Sequence, residues 1–342
     1  MLRQVLILGG LSLLLLGCPG SPPALSTAAA PAASPAPAPS PAPADGPEAS
    51  GLVPAAQCVR AATTSPVAWA AETVFYEVFV RSFADSDGDG IGDLDGLRLR
   101  LDYLADLGIR GLWLTPVFVA ASYHGYDTVD HDHVDPVLGG DEALQRLLLA
   151  AHARGIRVLL DLVLNHTSAE HPWFVAARQG DPRWRNWYVW RDAAPVPTWT
   201  QPWGTAPTWH PAGDSWYYGL FWSGMPDLDF MQPAVRAELT RVARQWLQRG
   251  ADGYRLDAVR YLVETGPGAG QADTLPTHQV LQELAAELTA TSPEALLLGE
   301  IWTDLETVAT YLDRRPHLEL HGAFAFDLAG AILADVAAGR AK

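Results

Sequence analysis

The sequence predicts a parallel α/β fold, and two observations carry that prediction. From residue 74 onward, short apolar runs rich in β-branched and aromatic residues alternate with amphipathic stretches of helical period. One run, IRVLLDLVL (156–164), is apolar almost throughout, as a strand buried on both faces of a parallel sheet must be. Between about 167 and 230 the rhythm breaks, and nine of the thirteen tryptophans fall within 173–222. That segment is expected to be a small subdomain inserted in a strand-to-helix connection.

The elements follow in order. VFYEVFV (74–80) is predicted as a strand, and LDGLRLRLDYLADLG (94–108) as a helix stopped by Gly108. IRGLWLTPVF (109–118) is the next strand. DEALQRLLLAAHARG (141–155) is a helix with Asp141 as its cap and Gly155 beyond its end, and 156–164 is the strand already named. After the insert, PAVRAELTRVARQWLQRG (233–250) has Pro near its start and Gly at its end, as helices prefer. GYRLDAV (253–259) and ALLLGEIW (295–302) are strands separated by a helix near 277–291. A helix near 304–313 and a strand, GAFAFDL (322–328), complete the pattern.

The residues before 66 differ in kind. Residues 1–18, MLRQVLILGGLSLLLLGC, join a positive start at Arg3 to an apolar run too short for a comfortable permanent span. The closing LLGC resembles the lipobox of bacterial lipoprotein signals, which implies cleavage before Cys18, lipid attachment to its sulfur and an extracytoplasmic, membrane-anchored location; simple secretion is the alternative. With Cys18 lipidated, Cys58 has no cysteine partner. Residues 19–65 are nearly all Ala, Pro, Ser and Gly, too poor in apolar surface to offset their ordering entropy, and should form an extended spacer. The catalytic domain is expected over 66–342. The formal net charge of −16 argues against a nucleic-acid partner, because phosphate contacts need clustered Lys and Arg.

DSDGDGIGDLDG (85–96) places aspartates at alternate positions with glycines between them. That is the opening of an EF-hand loop, but a strand precedes it and its twelfth position is Gly96, not Glu, so a calcium sensor is excluded. A dockerin-like module would need a second repeat. The ligand logic remains: Asp85, Asp87, Asp89, Asp93 and the carbonyl of Ile91 can converge on one hard cation, and without it these carboxylates would repel one another.

Polar groups gather at the same end of successive strands. DLVLNH puts Asp161 inside a strand and Asn165 and His166 just beyond it. GYRLDAVR places Arg255 and Asp257 two apart, on one face of a strand, where the guanidinium would keep the aspartate ionised. LLLGEIW ends an apolar strand at Glu300. Each group alone has an ordinary structural explanation; their common placement favours catalysis.

These motifs resemble the α-amylase superfamily of retaining glycoside hydrolases, in particular its oligo-1,6-glucosidase/neopullulanase-like branch. DLVLNH, GYRLDAVR and GEIW match three family signatures. MPDLD (225–229), HGYDTVDHDHVDPVLGG (124–140) and the aspartate loop resemble further ones, in the right order. The resemblance implies a (β/α)8 TIM-type barrel with the inserted subdomain after its third strand, and Ca2+ in the aspartate loop. It implies Asp257 as nucleophile, Glu300 as general acid and then base, and Arg255 as the hydrogen-bonding partner of the nucleophile. His166 and Tyr126 would line the sugar subsite, Tyr126 by stacking; Asn165 and Asp161 would support them, Asp161 orienting Arg255. The implied substrates are starch, maltodextrin and related α-linked oligosaccharides. A Glu300 beside Trp302 and after three leucines suits a raised pKa.

The sequence departs from the family in one respect. No NHD-like motif of a seventh strand follows, so the barrel is expected to be incomplete at its C-terminus, after its sixth strand, and the chain by itself to have little or no hydrolase activity. A truncated gene product, a fragment completed by another chain and a degenerate barrel are the candidate explanations. A glucan-binding component without catalysis, or a transglycosidase or isomerase using the same carboxylates, are the rival functions.

Overall fold

The computed structural model describes residues 67–192, 198–312 and 318–340. The signal read at 1–18, the lipidation site Cys18 and the spacer read at 19–65 lie outside the described residues. Six strands form one sheet: β1 (Phe75–Val78), β2 (Gly111–Leu114), β3 (Arg157–Val163), β4 (Gly253–Asp257), β5 (Leu296–Gly299) and β6 (Gly322–Ala323). They lie side by side in that order, and each neighbouring pair is parallel. This is the strand order of a (β/α)8 barrel over six of its strands.

Helices supply the crossovers that parallel pairing demands. Gly140–His152 buries Ala143, Leu144, Leu147, Leu148 and Ala151, a stripe of helical period. Pro233–Gln248 buries Val235, Leu239, Val242, Ala243 and Trp246 in the same way, and Leu275–Thr291 buries Val280, Leu281, Leu284, Ala285 and Leu288. Each fully buried leucine or valine contributes about 1.5–3 kcal/mol relative to exposure. Strand β3 is buried from Val158 to Val163, as its unbroken apolar run requires.

Local chemistry departs from the predicted elements at several points. The helix expected over 94–108 is broken at Arg100 (φ −103°, ψ 4°) into Leu94–Leu99 and Leu101–Asp106. Asp141 is not the cap of its helix; Gly139, in the left-handed region at φ +101°, precedes it. The Asp141 carboxylate instead accepts from the Val134 amide at 2.8 Å and from Arg249 at 2.9 Å. Strand β2 ends at Leu114, and the chain continues into an antiparallel hairpin of Phe118–Ala120 with Thr128–Val134, whose loop carries Tyr126. The strand expected over 322–328 pairs for only two residues; the Ala- and Leu-rich stretch that follows turns helical over Phe326–Ala337. The helix expected near 304–313 is confined to Leu305–Val308, capped by the Asp304 carboxylate.

The insert follows β3, as expected, and contains an antiparallel sheet of Trp190–Arg191, Ser215–Tyr218 and Trp209–Ala212. Its tryptophans mostly make its own packing. Trp173 lies 5.6 Å from Trp184 and 4.7 Å from Trp187, and Trp190 stacks on Phe174 at 5.7 Å.

Gly253 opens β4 at φ +145°, where a Cβ would lie 2.1 Å from the Leu296 carbonyl oxygen of β5. Gly253→Ala is expected to destabilise the domain by about 3 kcal/mol or more, through backbone strain and separation of β4 from β5. Thermal or urea unfolding checks this; an unchanged midpoint would contradict it.

Candidate active site

Register places the chemistry. In the β3–β4 pairing Asp161 lies beside Arg255 and Val163 beside Asp257, while on the other side Leu298 of β5 pairs with Arg255. Period-two alternation then puts Arg255 and Asp257 on one face. The Arg255 guanidinium reaches three carboxyl groups. Its Nη1 donates to Asp161 Oδ1 at 2.8 Å and Oδ2 at 3.0 Å and to Asp257 Oδ1 at 2.6 Å, and its Nη2 lies 2.8 Å from Glu300 Oε2. The Arg255 side chain is 4% exposed, Asp161 0%, Asp257 8% and Glu300 25%, so Glu300 is the member most open to a ligand.

Asp161 is fixed from several directions. Besides Arg255, Trp113 Nε1 donates to its Oδ2 at 3.1 Å and the Tyr126 hydroxyl at 3.3 Å. Arg255 also lies over the rings of Trp113 and Tyr126, with Cζ 5.1 and 5.5 Å from their centroids. Glu300 has a different second partner: the backbone amide of Ala258 donates to Oε2 at 3.2 Å. Ala258, directly after Asp257, has φ +48° and ψ 36°, a left-handed conformation that strains a residue bearing a Cβ and aims its N–H at Glu300.

His166 and Asn165 follow β3 as predicted. His166 is buried and its Nε2 lies 3.1 Å from the Tyr126 carbonyl, so Nε2 carries the proton and donates. Its Nδ1 is buried and has no hydrogen-bond partner among the described residues. Burial pushes the imidazole down to about 4, so the ring is neutral near pH 7. Asn165 donates to Asp227 Oδ2 at 2.9 Å, and an isolated bridge pairs His166 with Asp227, which closes the insert through MPDLD. Phe221 of the insert lies 5.1 Å from His166, with Trp203 and Tyr261 packed on it at 5.5 and 6.0 Å. Sugar rings offer the apolar faces that such aromatics contact. Trp302 does not serve Glu300 as expected; it is 54% exposed and stacks on Phe326 at 4.7 Å.

Electrostatics separates the roles. A guanidinium does not deprotonate, and here the surrounding carboxylates hold it charged against the cost of burial. Three carboxylates around one cation leave excess negative charge in a low-dielectric site, which favours retention of a proton. Burial raises Glu300 above the ordinary glutamate value, Arg255 opposes this, and the Asp257 charge raises it further. Burial also pushes Asp161 up to about 7, against the pull of Arg255. Asp161, however, accepts from Arg255, Trp113 and Tyr126, a set of donors suited to an anion, whereas Glu300 accepts from one amide and one guanidinium nitrogen. By donor count Asp161 is the better-solvated anion of the two, and Glu300 the better candidate to keep a proton.

The aspartate loop gathers three of its predicted ligands. Asp85, Asp87 and Asp89 present carboxylate oxygens within 4.8 Å of one another, all exposed. Asp85 accepts from the amides of Asp87, Gly88 and Gly90, Asp87 from Asp89, and Asp89 from Ile91. Gly90, at the sixth position, has φ +92°, the sharp turn that such loops need there. Asp93 does not join the group; it is buried, caps Leu94–Leu99 through Gly96 and accepts from the Ser86 amide and hydroxyl. Ile91 contributes its amide to Asp89, and its carbonyl remains a predicted ligand. The oxygen-only donor set fits a hard divalent cation.

Trp113, Ala258 and Phe221 were not singled out from the sequence. Trp113 lies in an apolar strand, and its only signal was an indole on the predicted inner sheet. Ala258 gave none, because its backbone angle is set by the turn.

Comparison with known proteins identifies the family. The family described as alpha amylase, catalytic domain, matches residues 77–341. "Alpha-amylase 3" of Dictyoglomus thermophilum is 40% identical over 249 residues, 72% of this chain and 47% of that protein. The oligo-1,6-glucosidase of Heyndrickxia coagulans is 34% identical over 281 residues, 76% of this chain and 50% of that one. The crystal structure of an α-amylase from H. orenii superposes with a TM-score of 0.70 at 39% identity, covering 78% of this chain and 54% of that one. The chain thus spans about half the length of the relatives it matches.

Two carboxyls, the buried Asp227 and the half-buried Glu264, give a stability signature. Burial pushes Asp227 up to about 7 and Glu264 up to about 8, with Asp227 adding to the latter. Their folded values exceed the unfolded ones, so their contribution is complete below pH 4 and lost as pH rises through 7 and 8. The melting temperature should fall between about pH 7.5 and 9, above the unfolded-state titration of the buried His131, His166 and His171, and Glu264→Gln should flatten the fall. A melting temperature that rises over this window would contradict the assignment.

Proposed function

The chain belongs to the α-amylase family of glycoside hydrolases, and from that premise we propose that its site acts on α-linked glucans (starch, maltodextrin, maltooligosaccharides) by a retaining double displacement, weakly where the six strands stand alone. The observation that carries the proposal is that Asp257 and Glu300 meet on the single guanidinium of Arg255. That closeness suits a direct displacement; an inverting pair stands further apart to admit a water.

In the first step an Asp257 carboxylate oxygen bonds to C1 of the sugar. The C1–O bond to the leaving sugar breaks, and Glu300 gives its proton to the departing oxygen. In the second step the Glu300 carboxylate takes a proton from water, the water oxygen bonds to C1, and the C1–Asp257 ester bond breaks. Arg255 orients Asp257 through its hydrogen bond, and Asp161 fixes Arg255. Tyr126 and His166 would form the wall of the sugar site. We assign Ca2+ to the Asp85, Asp87 and Asp89 loop, where it would neutralise the clustered carboxylates and stiffen the connection after β1. The lipid anchor at Cys18 would hold the protein outside the cytoplasmic membrane.

Two measurements test this. On maltotriose, Glu300→Gln should lower kcat by about 10²–10⁴-fold, and Asp257→Ala should abolish turnover while leaving ligand binding. Wild-type kcat should fall as pH rises through the elevated Glu300 value, since the acid must be protonated, and the first product should be the α-anomer by NMR. A wild-type chain that binds maltooligosaccharides without cleaving them would overturn the hydrolase reading in favour of a binding component. Separately, chelation should lower the melting temperature and added Ca2+ restore it, by about 2.7 kcal/mol of stabilisation at a hundredfold excess over Kd. Asp87→Ala should remove that response; a wild-type protein indifferent to Ca2+ would contradict the metal assignment.

A further inference from the structure

Arg260 stands three residues after Asp257, and the mechanism above gives it no task. Its side chain is 15% exposed and makes a bidentate pair with Asp273: Nε donates to Oδ1 at 2.9 Å and Nη2 to Oδ2 at 2.5 Å. Its remaining nitrogen, Nη1, donates to the carbonyl of Trp302 at 2.5 Å, two residues beyond Glu300. One planar fork therefore ties the turn that follows the nucleophile to the loop that follows the acid.

The anchor is itself held. Asp273 has φ +56°, a strained backbone for a residue with a Cβ, and its amide donates back to the Arg260 carbonyl at 2.9 Å. The buried Tyr311 donates its hydroxyl to Asp273 Oδ1 at 2.7 Å, and its ring lies 4.3 Å from His278. His278 pairs with the buried Glu319 at 2.7 Å, and Gln282 donates to the same carboxylate at 2.8 Å. A path of hydrogen bonds and one ring contact thus runs from the start of helix Leu275–Thr291 to the mouth of the site. At its other end stands Ala258, left-handed, with its amide on Glu300 and its carbonyl accepting from Tyr261 at 3.2 Å. Two strained non-glycine residues lie on this one path, and strain persists only where surrounding contacts over-determine it.

We propose that Arg260 is a positioning residue for the general acid: clamped by Asp273, it fixes the Ala258 turn and the Trp302 loop to each other and so holds the Glu300 carboxyl in register with Asp257. This rests on the proposed hydrolase reading. It assigns Arg260 to protonation of the leaving group and leaves nucleophilic attack to Asp257 and Arg255.

That division is testable, because a good leaving group needs no acid. With α-glucosyl fluoride, fluoride departs with the electron pair of the C–F bond; with maltotriose, the departing sugar oxygen must be protonated. Full-length Arg260→Lys should lose about 30-fold or more in kcat/KM on maltotriose and less than about threefold in kcat/KM on α-glucosyl fluoride, a ratio that reports formation of the glycosyl-enzyme and not the base-assisted second step common to both substrates. Asp273→Asn, which removes the clamp's charge but keeps its shape, should show the same split to a lesser degree, and circular dichroism would verify that both variants are folded. Equal losses on both substrates, or none on either, would overturn the proposal. A wild-type chain inert towards both substrates would instead overturn the hydrolase reading, and this inference with it.

Discussion

One buried guanidinium shared among three carboxyl groups is the constraint on which the site depends. Asp161, Asp257 and Glu300 come from three adjacent strands or their ends, and each reaches Arg255. Burying this set is costly, and a buried ion cluster is poor evidence of stability. Its value is chemical. With one fixed positive charge and three acidic groups, the cluster raises the carboxyl of Glu300, its most exposed member. The parallel sheet makes this possible by bringing residues far apart in sequence into register at one end.

The surrounding structure serves that cluster. The hairpin after β2 brings Tyr126 over Asp161 and sets its carbonyl on His166. The insert after β3 returns through Asp227 to Asn165, which fixes the wall that carries Phe221. Its tryptophans are mostly a local core, so the aromatic richness that stands out in the sequence is chiefly about folding a small subdomain, and Phe221, Trp203 and Tyr261 are the aromatic group packed beside His166.

Much of this was legible in the sequence, for physical reasons. A strand buried on both faces must be apolar, which marks 156–164, and a two-residue period must put Arg255 and Asp257 together. What could not be read was geometry set by tertiary contact. LDGLRLRLDYLADLG contains no breaker at Arg100, yet the helix divides there. Asp141 looks like a cap by composition, but Val134 and Arg249 claim its carboxylate. Asp93 fits the alternate spacing of the cation loop, but its neighbours turn it into a helix cap. Ala258 and Asp273 adopt left-handed backbone without being glycine, so no residue type announces them. The two-residue extent of β6 likewise depends on what pairs with it, whereas the helical propensity of 326–337 is written in its alanines and leucines.

The most direct test of the central claim is to trap the covalent intermediate. The protein would be incubated with 5-fluoro-α-glucosyl fluoride, digested, and the labelled peptide identified by tandem mass spectrometry. The account predicts a single fluoroglucosyl ester on Asp257, formed at an undiminished rate when Glu300 is replaced by Gln. An ester on Asp161 or Glu300, or the absence of any adduct in a folded protein, would contradict it.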